Sequence, residues 1–315
     1  MKSLTPNFIS TLGKSIDSEE VSALFNDLQT MHRPHFDSRD DEQDVYEWVL
    51  IKRKGVELGF VDKNYYLGKP NYTWYQQGCL LAQIYFYKGV EGVADCLYPP
   101  PFDIDWSDSR EQAICKMQPF SDSHKASFTD TWKVDNVLIT ISYDSESDLV
   151  NRVVCQLILP PLIPPKGIIP PDFIVLAKYL VEDIDTSDFI NLWQGYLEKN
   201  MISNAYEDDQ IDLTSSYGLK LNTSSQSGEL LLYSIRFYAN REEDSVGWQG
   251  KLPFGIEFSD SPNQLFDKII YEPRDKHDNI VDGYAVWDFE NYSLHVLYST
   301  FTNQIQCVTV MVPSF

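Results

Sequence analysis

The chain has 315 residues, 43% of them hydrophobic, and a formal net charge of −22 at pH 7. This length is typical of about two domains, and the hydrophobic content is sufficient for packed cores, which argues against disorder along the whole chain. The negative charge repels phosphate groups and therefore disfavours binding to nucleic acids or anionic membranes.

The sequence shows no targeting or membrane segment. Residues 1–20 contain no apolar run long enough for a signal peptide. The most apolar stretch, residues 153–169, is interrupted by four prolines and does not suit a membrane span. Five widely spaced cysteines without a Cys-x-x-Cys motif favour free thiols over zinc ligation or a disulfide framework. These features predict a soluble cytoplasmic protein.

The first predicted element is an amphipathic helix that occurs twice. Asp17 and Asp185 are the predicted N-caps, because a carboxylate can accept the free amide protons of the first helical turn. Glu20 follows Asp17 at the spacing of a capping box. Apolar residues then recur at i, i+3, i+4 and i+7. They are Val21, Leu24, Phe25 and Leu28 in the first half, and Phe189, Leu192, Trp193 and Tyr196 in the second.

Two strands follow in each half. A glycine opens the first strand, at Gly55 or Gly218, and an Ile-x-Phe-Tyr sequence marks the second, at residues 84–87 and 235–238. The alternation of apolar residues with period two predicts a sheet that has one buried face.

A second helix is predicted after a proline-phenylalanine motif. Residues 101–109 and 253–261 both read Pro-Phe-x-Ile-x-x-Ser-Asp-Ser. Ser109 and Ser261 are predicted N-caps, each with a glutamine three residues later, which forms a capping box. Pro262 then occupies the first helical position, where a missing N–H costs nothing.

A hairpin and a last strand close each half. Residues 132–143 and 287–298 both begin Trp-x-x-x-Asn and continue as an alternating strand, which predicts an antiparallel hairpin. The alignment of the last strand pairs every second residue. It matches Val153, Cys155 and Leu157 with Ile305, Cys307 and Thr309.

The repeats define the predicted domains. We expect an α+β fold made of two tandem modules, 1–160 and 161–315, each with an antiparallel sheet and helices packed on one face. The proline-rich segment 160–171 joins them as a stiff linker, and its apolar residues suggest that it packs along a domain surface.

Catalytic and metal-binding motifs are weak. The sequence lacks the common nucleophile, zinc-protease, phosphate-loop and dinucleotide patterns. His32, His35 and Asp37 have donor types that a metal would accept. The residues Asp103, Asp105 and Asp108 fail the EF-hand pattern and are interpreted as a strand that leads into a capped helix. We therefore predict no catalytic residue, no cofactor and no metal.

Acidic clusters are the remaining candidates. They comprise Asp40, Asp41, Glu42 and Asp44, then Glu207, Asp208, Asp209 and Asp212, and finally Glu242, Glu243 and Asp244. Such runs are usually solvated surface. The first two clusters precede equivalent strands, so the alternative interpretation is that they bind a basic partner protein.

The second copy carries a recognisable pattern. It consists of Gly218-Leu219-x-Leu221, Ile-Arg-Phe-Tyr at 235–238, the run Gly-Lys-Leu-Pro-Phe-Gly-Ile-Glu-Phe-Ser-Asp-Ser at 250–261, and Trp287. This pattern resembles bacterial immunity proteins of polymorphic toxin and type VI secretion systems. The first copy departs from it, because residues 99–101 are all proline and Asp103 replaces the glycine.

The resemblance implies a cytoplasmic, acidic, non-enzymatic antitoxin that neutralises a cognate toxin effector by direct binding. The charge adds the expectation that this effector is basic. Two alternatives stay open, namely a bivalent structural or adaptor protein and a hydrolase whose catalytic carboxylates are scattered along the sequence. The sequence leaves the oligomeric state undetermined.

Overall fold

A computed structural model describes residues 7–35, 45–69, 78–120, 123–125, 128–279 and 281–313. The chain divides into two compact units, Met1–Pro160 and Pro161–Phe315.

The first unit contains four helices and seven strands within its described residues. The helices are α1 (Phe8–Thr11), α2 (Glu19–Asp27), α3 (Lys63–Tyr66) and α4 (Arg110–Met117). The strands are β1 (Tyr46–Ile51), β2 (Val56–Asp62), β3 (Cys79–Tyr87), β4 (Ser123–Lys125), β5 (Thr129–Val134), β6 (Val137–Tyr143) and β7 (Val150–Leu157).

The second unit also contains four α-helices and seven strands in its described part, together with two 3-10 helices, Glu242–Asp244 and Pro253–Gly255. Its helices are α5 (Phe173–Ala177), α6 (Ser187–Asn191), α7 (Lys199–Asp208) and α8 (Pro262–Lys268). Its strands are β8 (Gln210–Leu213), β9 (Leu219–Gln226), β10 (Glu229–Tyr238), β11 (Asp275–Asp278), β12 (Asp282–Asp288), β13 (Ser293–Ser299) and β14 (Gln304–Met311).

The two sheets have the same strand order. The first runs β1-β2-β3-β7-β6-β5-β4, and the second, read from its equivalent edge, runs β8-β9-β10-β14-β13-β12-β11. Neighbouring strands pair antiparallel in both sheets. The expected α+β fold with two similar antiparallel modules is therefore confirmed.

Each sheet buries one face against helices. Phe25 of α2 packs with Phe60 of β2 in the first core, and Trp193 packs with Phe189 of α6 in the second. The repeated tryptophans, Trp132 and Trp287, are buried in these cores. A smaller cluster around α3 packs on the opposite face of the first sheet.

The helix starts differ by one residue from the prediction. Ser18 Oγ accepts a hydrogen bond from the Val21 amide at 3.2 Å, and Thr186 Oγ1 accepts one from the Phe189 amide at 3.4 Å. Asp17 and Asp185 therefore precede the caps, because the side chain one residue later reaches the third amide of the helix. The buried stripe of α2 is confirmed.

The second copy of this helix is shorter than predicted. The α6 helix ends at Asn191, and the left-handed residues Gln194 and Gly195 turn the chain away. Leu192 and Tyr196 are consequently only partly buried or exposed, whereas Trp193 is fully buried. The separate helix α7 follows, and it buries Ile202 and Ala205 against the same core.

The two later helices confirm the predicted capping boxes. Ser109 caps α4 with Gln112, and Ser261 caps α8 with Gln264, with Pro262 at the helix start. In each copy, the aspartate before the cap is buried and forms an ion pair with a lysine in the last turn of the helix. The pairs are Asp108–Lys116 and Asp260–Lys268, both at 2.7 Å.

The predicted alignment of the last strands is wrong by three residues. Cys155 lies opposite Ile84 and Ile139, whereas the equivalent place in the second sheet is occupied by Val310, opposite Ile235 and Leu294. An odd shift exchanges the two faces of a strand. Cys307 and Thr309 therefore point away from the helices, and Val308 and Val310 face the core.

The proline-rich segment lies against the second unit. The Asn240 side chain accepts a hydrogen bond from the Leu162 amide at 2.9 Å and donates one to the Leu162 carbonyl at 2.8 Å. Gln194 holds Ile169 in the same two-sided way, at 3.3 Å. Ile163 and Ile169 themselves are exposed. Side-chain amides bonded to the backbone thus hold this segment, together with the partly buried Ile168.

Candidate partner-binding edge

The second acidic cluster lies along the outer edge of the second sheet. Glu207 and Asp208 are the last two residues of α7, Asp209 follows them, and Asp212 is on β8. All four are exposed. The edge position of β8 means that its outward backbone groups are not paired with another described strand. We call these residues, together with Glu242, Glu243 and Asp244, the acidic edge.

Lys220 connects the two acidic clusters of the second unit. It lies opposite Asp212 in the β8–β9 pair, and its Nζ is 3.8 Å from an Asp212 carboxylate oxygen. The same Nζ is 3.3 Å from a Glu243 carboxylate oxygen. The Val246 amide also donates to the Thr214 carbonyl at 3.0 Å, which fixes the acidic turn beside the end of β8.

The charges at the end of α7 oppose the helix dipole. The C-terminal end of a helix carries partial negative charge and favours cations there. The α7 helix has no basic residue in its last turn, and it ends with Glu207 and Asp208. Such acids cost about 0.3 to 1 kcal/mol each. Acidic residues that destabilise an exposed helix end in this way are compatible with a surface that binds cations.

The turn that carries the third cluster has an unusual backbone. Arg241, Glu243 and Asp244 all have positive φ, at 76°, 50° and 55°. The surrounding structure holds this conformation, since the Arg241 amide donates to the Ser245 carbonyl at 2.8 Å. Asn240 Nδ2 also donates to the Val246 carbonyl at 2.6 Å. The acidic turn is therefore built as a defined shape.

The pKa of Glu242 reflects the electrostatic environment of this turn. Burial raises the pKa of Glu242, and the neighbouring charge of Glu243 raises it further, while a hydrogen bond from Gln306 lowers it. Burial is therefore the larger cause, and repulsion between Glu242 and Glu243 adds to it.

The structure assigns different places to the other sequence candidates. Asp40, Asp41, Glu42 and Asp44 lie outside the described residues, so the acidic edge is described for the second unit alone. Asp37 also lies outside them, and the histidines His32 and His35 are exposed.

The Asp103, Asp105 and Asp108 sequence has a structural role. The Asp105 amide donates to the Asp108 carboxylate at 2.7 Å, and Lys116 donates to that carboxylate at the far end of α4. Asp105 itself accepts from Ser107. Asp108 therefore braces the turn before the helix. The capped helix is as expected, whereas residues 101–108 form turns and not the expected strand, because the chain bends there to bring Asp108 back to the Asp105 amide.

Potential metal ligands do not cluster among the described residues. No group of three or more His, Cys, Asp or Glu residues in this part of the chain could hold a metal ion. Burial raises the pKa of Cys96 to about 11 and that of Cys307 to about 12. A thiol with such a pKa is protonated at neutral pH and is a poor nucleophile.

Sequence reasoning missed Lys220 as the centre of the edge. The alternation Gln-Ile-Asp-Leu at 210–213 indicates a strand, and it would have placed Asp212 on the polar face. The contact with Glu243 has no such local signal, because the two residues are far apart in sequence.

In the described ranges, every helix is too short or too polar to cross a membrane. No protein-family model, curated protein or solved structure shows significant similarity to this chain.

Proposed function

We propose that this chain is a non-enzymatic binding protein whose acidic edge binds a basic partner protein. The observation that carries the proposal is the placement of Glu207 and Asp208 at the negative end of α7, beside the edge strand β8. Exposed carboxylates on a defined backbone offer complementary charge to lysine and arginine side chains, and they increase the association rate.

In its specific form, the proposal is an immunity protein that acts in the cytoplasm and neutralises a toxin effector. The repeat pattern around residues 250–261 and the net charge of −22 support this choice. A basic effector, such as a nuclease, would present the cationic surface that the acidic edge requires.

Co-expression tests this proposal. The chain would be produced together with the protein encoded by the adjacent reading frame, and growth and complex formation would be measured. We expect the chain to restore growth and to form a complex that weakens as salt increases. Failure of both readouts with every neighbouring product would refute the immunity assignment.

Charge reversal locates the binding surface. Glu207→Lys with Asp208→Lys should weaken the complex by about tenfold or more, mainly through slower association. The new lysines suit the end of α7, so folding should be preserved. Asp267→Lys with Glu272→Lys is the matched control, because it changes the net charge equally at exposed positions near the other edge of the sheet. Equal losses in both variants would contradict a defined acidic edge.

A further inference from the structure

The first unit has an open cavity at the outer edge of β1. The cavity has a volume of about 750 Å³ and lies between residues 28–32, which follow α2, and residues 48–54, which include the end of β1 and the turn to β2. Its walls combine apolar side chains with the edge of a strand. The volume is in the range of specific ligand clefts.

The charge of this cavity is opposite to that of the protein. Among the described residues, its lining includes His32, Lys52, Arg53 and Lys54 and no carboxylate. Residues 52–54 are the only three consecutive basic residues in a chain with 47 acidic residues. Across the described chain, Lys52, Arg53 and Lys54 take part in none of the ion pairs. These cations are therefore available to an anionic ligand.

The edge of β1 adds a backbone component to the site. Within the described sheet, β1 pairs only with β2, and its residues 48–51 line the cavity. Trp48, 42% exposed, is held in place on this strand. Its ring lies over Gly59, where a Cβ atom would approach it to 2.5 Å, and it contacts Tyr46 and Tyr85. The edge is thus preformed.

We propose that this cavity binds an acidic peptide segment in an extended conformation. The segment adds as a strand along residues 48–51 of β1, so that main-chain hydrogen bonds supply affinity. Its carboxylates lie beside Lys52 and Arg53, and its apolar side chains contact Trp48. This site is in the first unit, and it does not depend on the acidic edge of the second.

A labelled synthetic peptide of alternating glutamate and valine, with blocked ends, tests the site on the full chain. Fluorescence anisotropy would measure its dissociation constant. We expect Lys52→Glu with Arg53→Glu to weaken binding by about tenfold or more. Lys166→Glu with Lys251→Glu makes the same change in charge at exposed positions in the second unit and should leave binding within about twofold.

Two further peptides and inorganic phosphate test the separate contributions of main-chain hydrogen bonds and charge to binding. An N-methylated glutamate-valine peptide keeps the charge but loses its amide donors, and a glutamine-valine peptide removes the charge. We expect neither to bind measurably. Equal binding of the N-methylated peptide would overturn strand addition, and equal binding of the glutamine peptide would overturn the role of charge. Displacement by inorganic phosphate beyond a chloride control of equal ionic strength would reassign the cavity to a small anion.

Discussion

Gly218 links backbone conformation to packing at a single position. Its φ is +76°, and a Cβ atom there would lie 2.3 Å from the carbonyl carbon of Gly247 and 2.4 Å from the amide nitrogen of Trp248. Its carbonyl accepts a hydrogen bond from the Tyr238 amide at 2.9 Å. Gly55 occupies the equivalent place in the first unit, with a Cβ position 2.4 Å from the Ala94 carbonyl oxygen. Both copies therefore need a residue without a side chain here.

We expect Gly218→Ala to lower the free energy of unfolding more than Gly228→Ala does. Both positions have positive φ, and nothing lies within 4 Å of a Cβ atom at Gly228. Gly228→Ala therefore measures the left-handed backbone alone, which costs about 1 to 2 kcal/mol. The overlap at Gly218 adds about 1 to 3 kcal/mol. Urea denaturation of both variants checks this difference, and equal losses would argue against the close approach.

Glu242→Gln should make stability less sensitive to pH. The pKa of Glu242 is raised by burial and by Glu243, so the folded chain holds this proton more tightly than the unfolded chain. Wild-type stability is therefore lost as pH rises through the folded pKa. The variant should be more stable at pH 7, and its advantage should vanish below the ordinary glutamate value of 4.5. Thermal melts across this range test the sign, and an advantage that grows toward acidic pH would contradict it.

Among the secondary-structure elements, the helices α4 and α8 are stabilised by the same two interactions. A capping box fixes the helix start, and a buried aspartate pairs with a lysine in the last turn. In the second copy, the Asp260 carboxylate also accepts from the Glu257 amide at 2.7 Å. The aspartate therefore satisfies a turn amide and a lysine at once, which joins the loop before the helix to its end.

We expect Asp260→Ala to destabilise the second unit by about 2 kcal/mol, because it leaves the turn amide of Glu257 without its acceptor and Lys268 with only the Gly255 carbonyl. Asp267→Ala is the control on the same helix. Asp267 is exposed, so its replacement should change stability by less than about 0.5 kcal/mol. Chemical denaturation compares the two. Similar effects for both would mean that the Asp260–Lys268 pair contributes little.

The whole molecule consists of two units that each possess a core. The described core residues of the second unit all belong to residues 161–315, and those of the first belong to residues 1–160. The proline-rich segment is held by Asn240 and Gln194 of the second unit. Dividing the chain before Pro161 would therefore leave both of these contacts intact within the fragment 161–315.

Residues 161–315 alone should fold cooperatively and keep the acidic edge. We expect a single unfolding transition in urea and binding to the basic partner within about tenfold of the full chain. An adaptor that engages two sites would instead lose its avidity when the units are separated. Near-ultraviolet circular dichroism and binding measurements on this fragment distinguish the two functions. A fragment that does not fold would show that the units depend on each other.

The sequence by itself determined the features whose partners are close along the chain. The capping boxes at Ser109 and Ser261 join residues three positions apart, so residue spacing alone predicts them. The α+β class also followed from the repeated pattern of apolar residues. The start of α2 was displaced by one residue because Ser18 and Asp17 are both good capping residues, and only the path of the chain selects between them.

Tertiary structure decided the contacts between distant residues. The equivalence of Cys155 with Val310 depends on pairing with two neighbouring strands, and a local alignment of alternating residues does not fix that register. Likewise, the meeting of Asp212, Lys220 and Glu243 needs an edge strand and a folded turn. Short-range sequence patterns therefore predicted the two modules. Strand pairing, in contrast, determined where the charged residues of the acidic edge and of the cavity beside β1 lie.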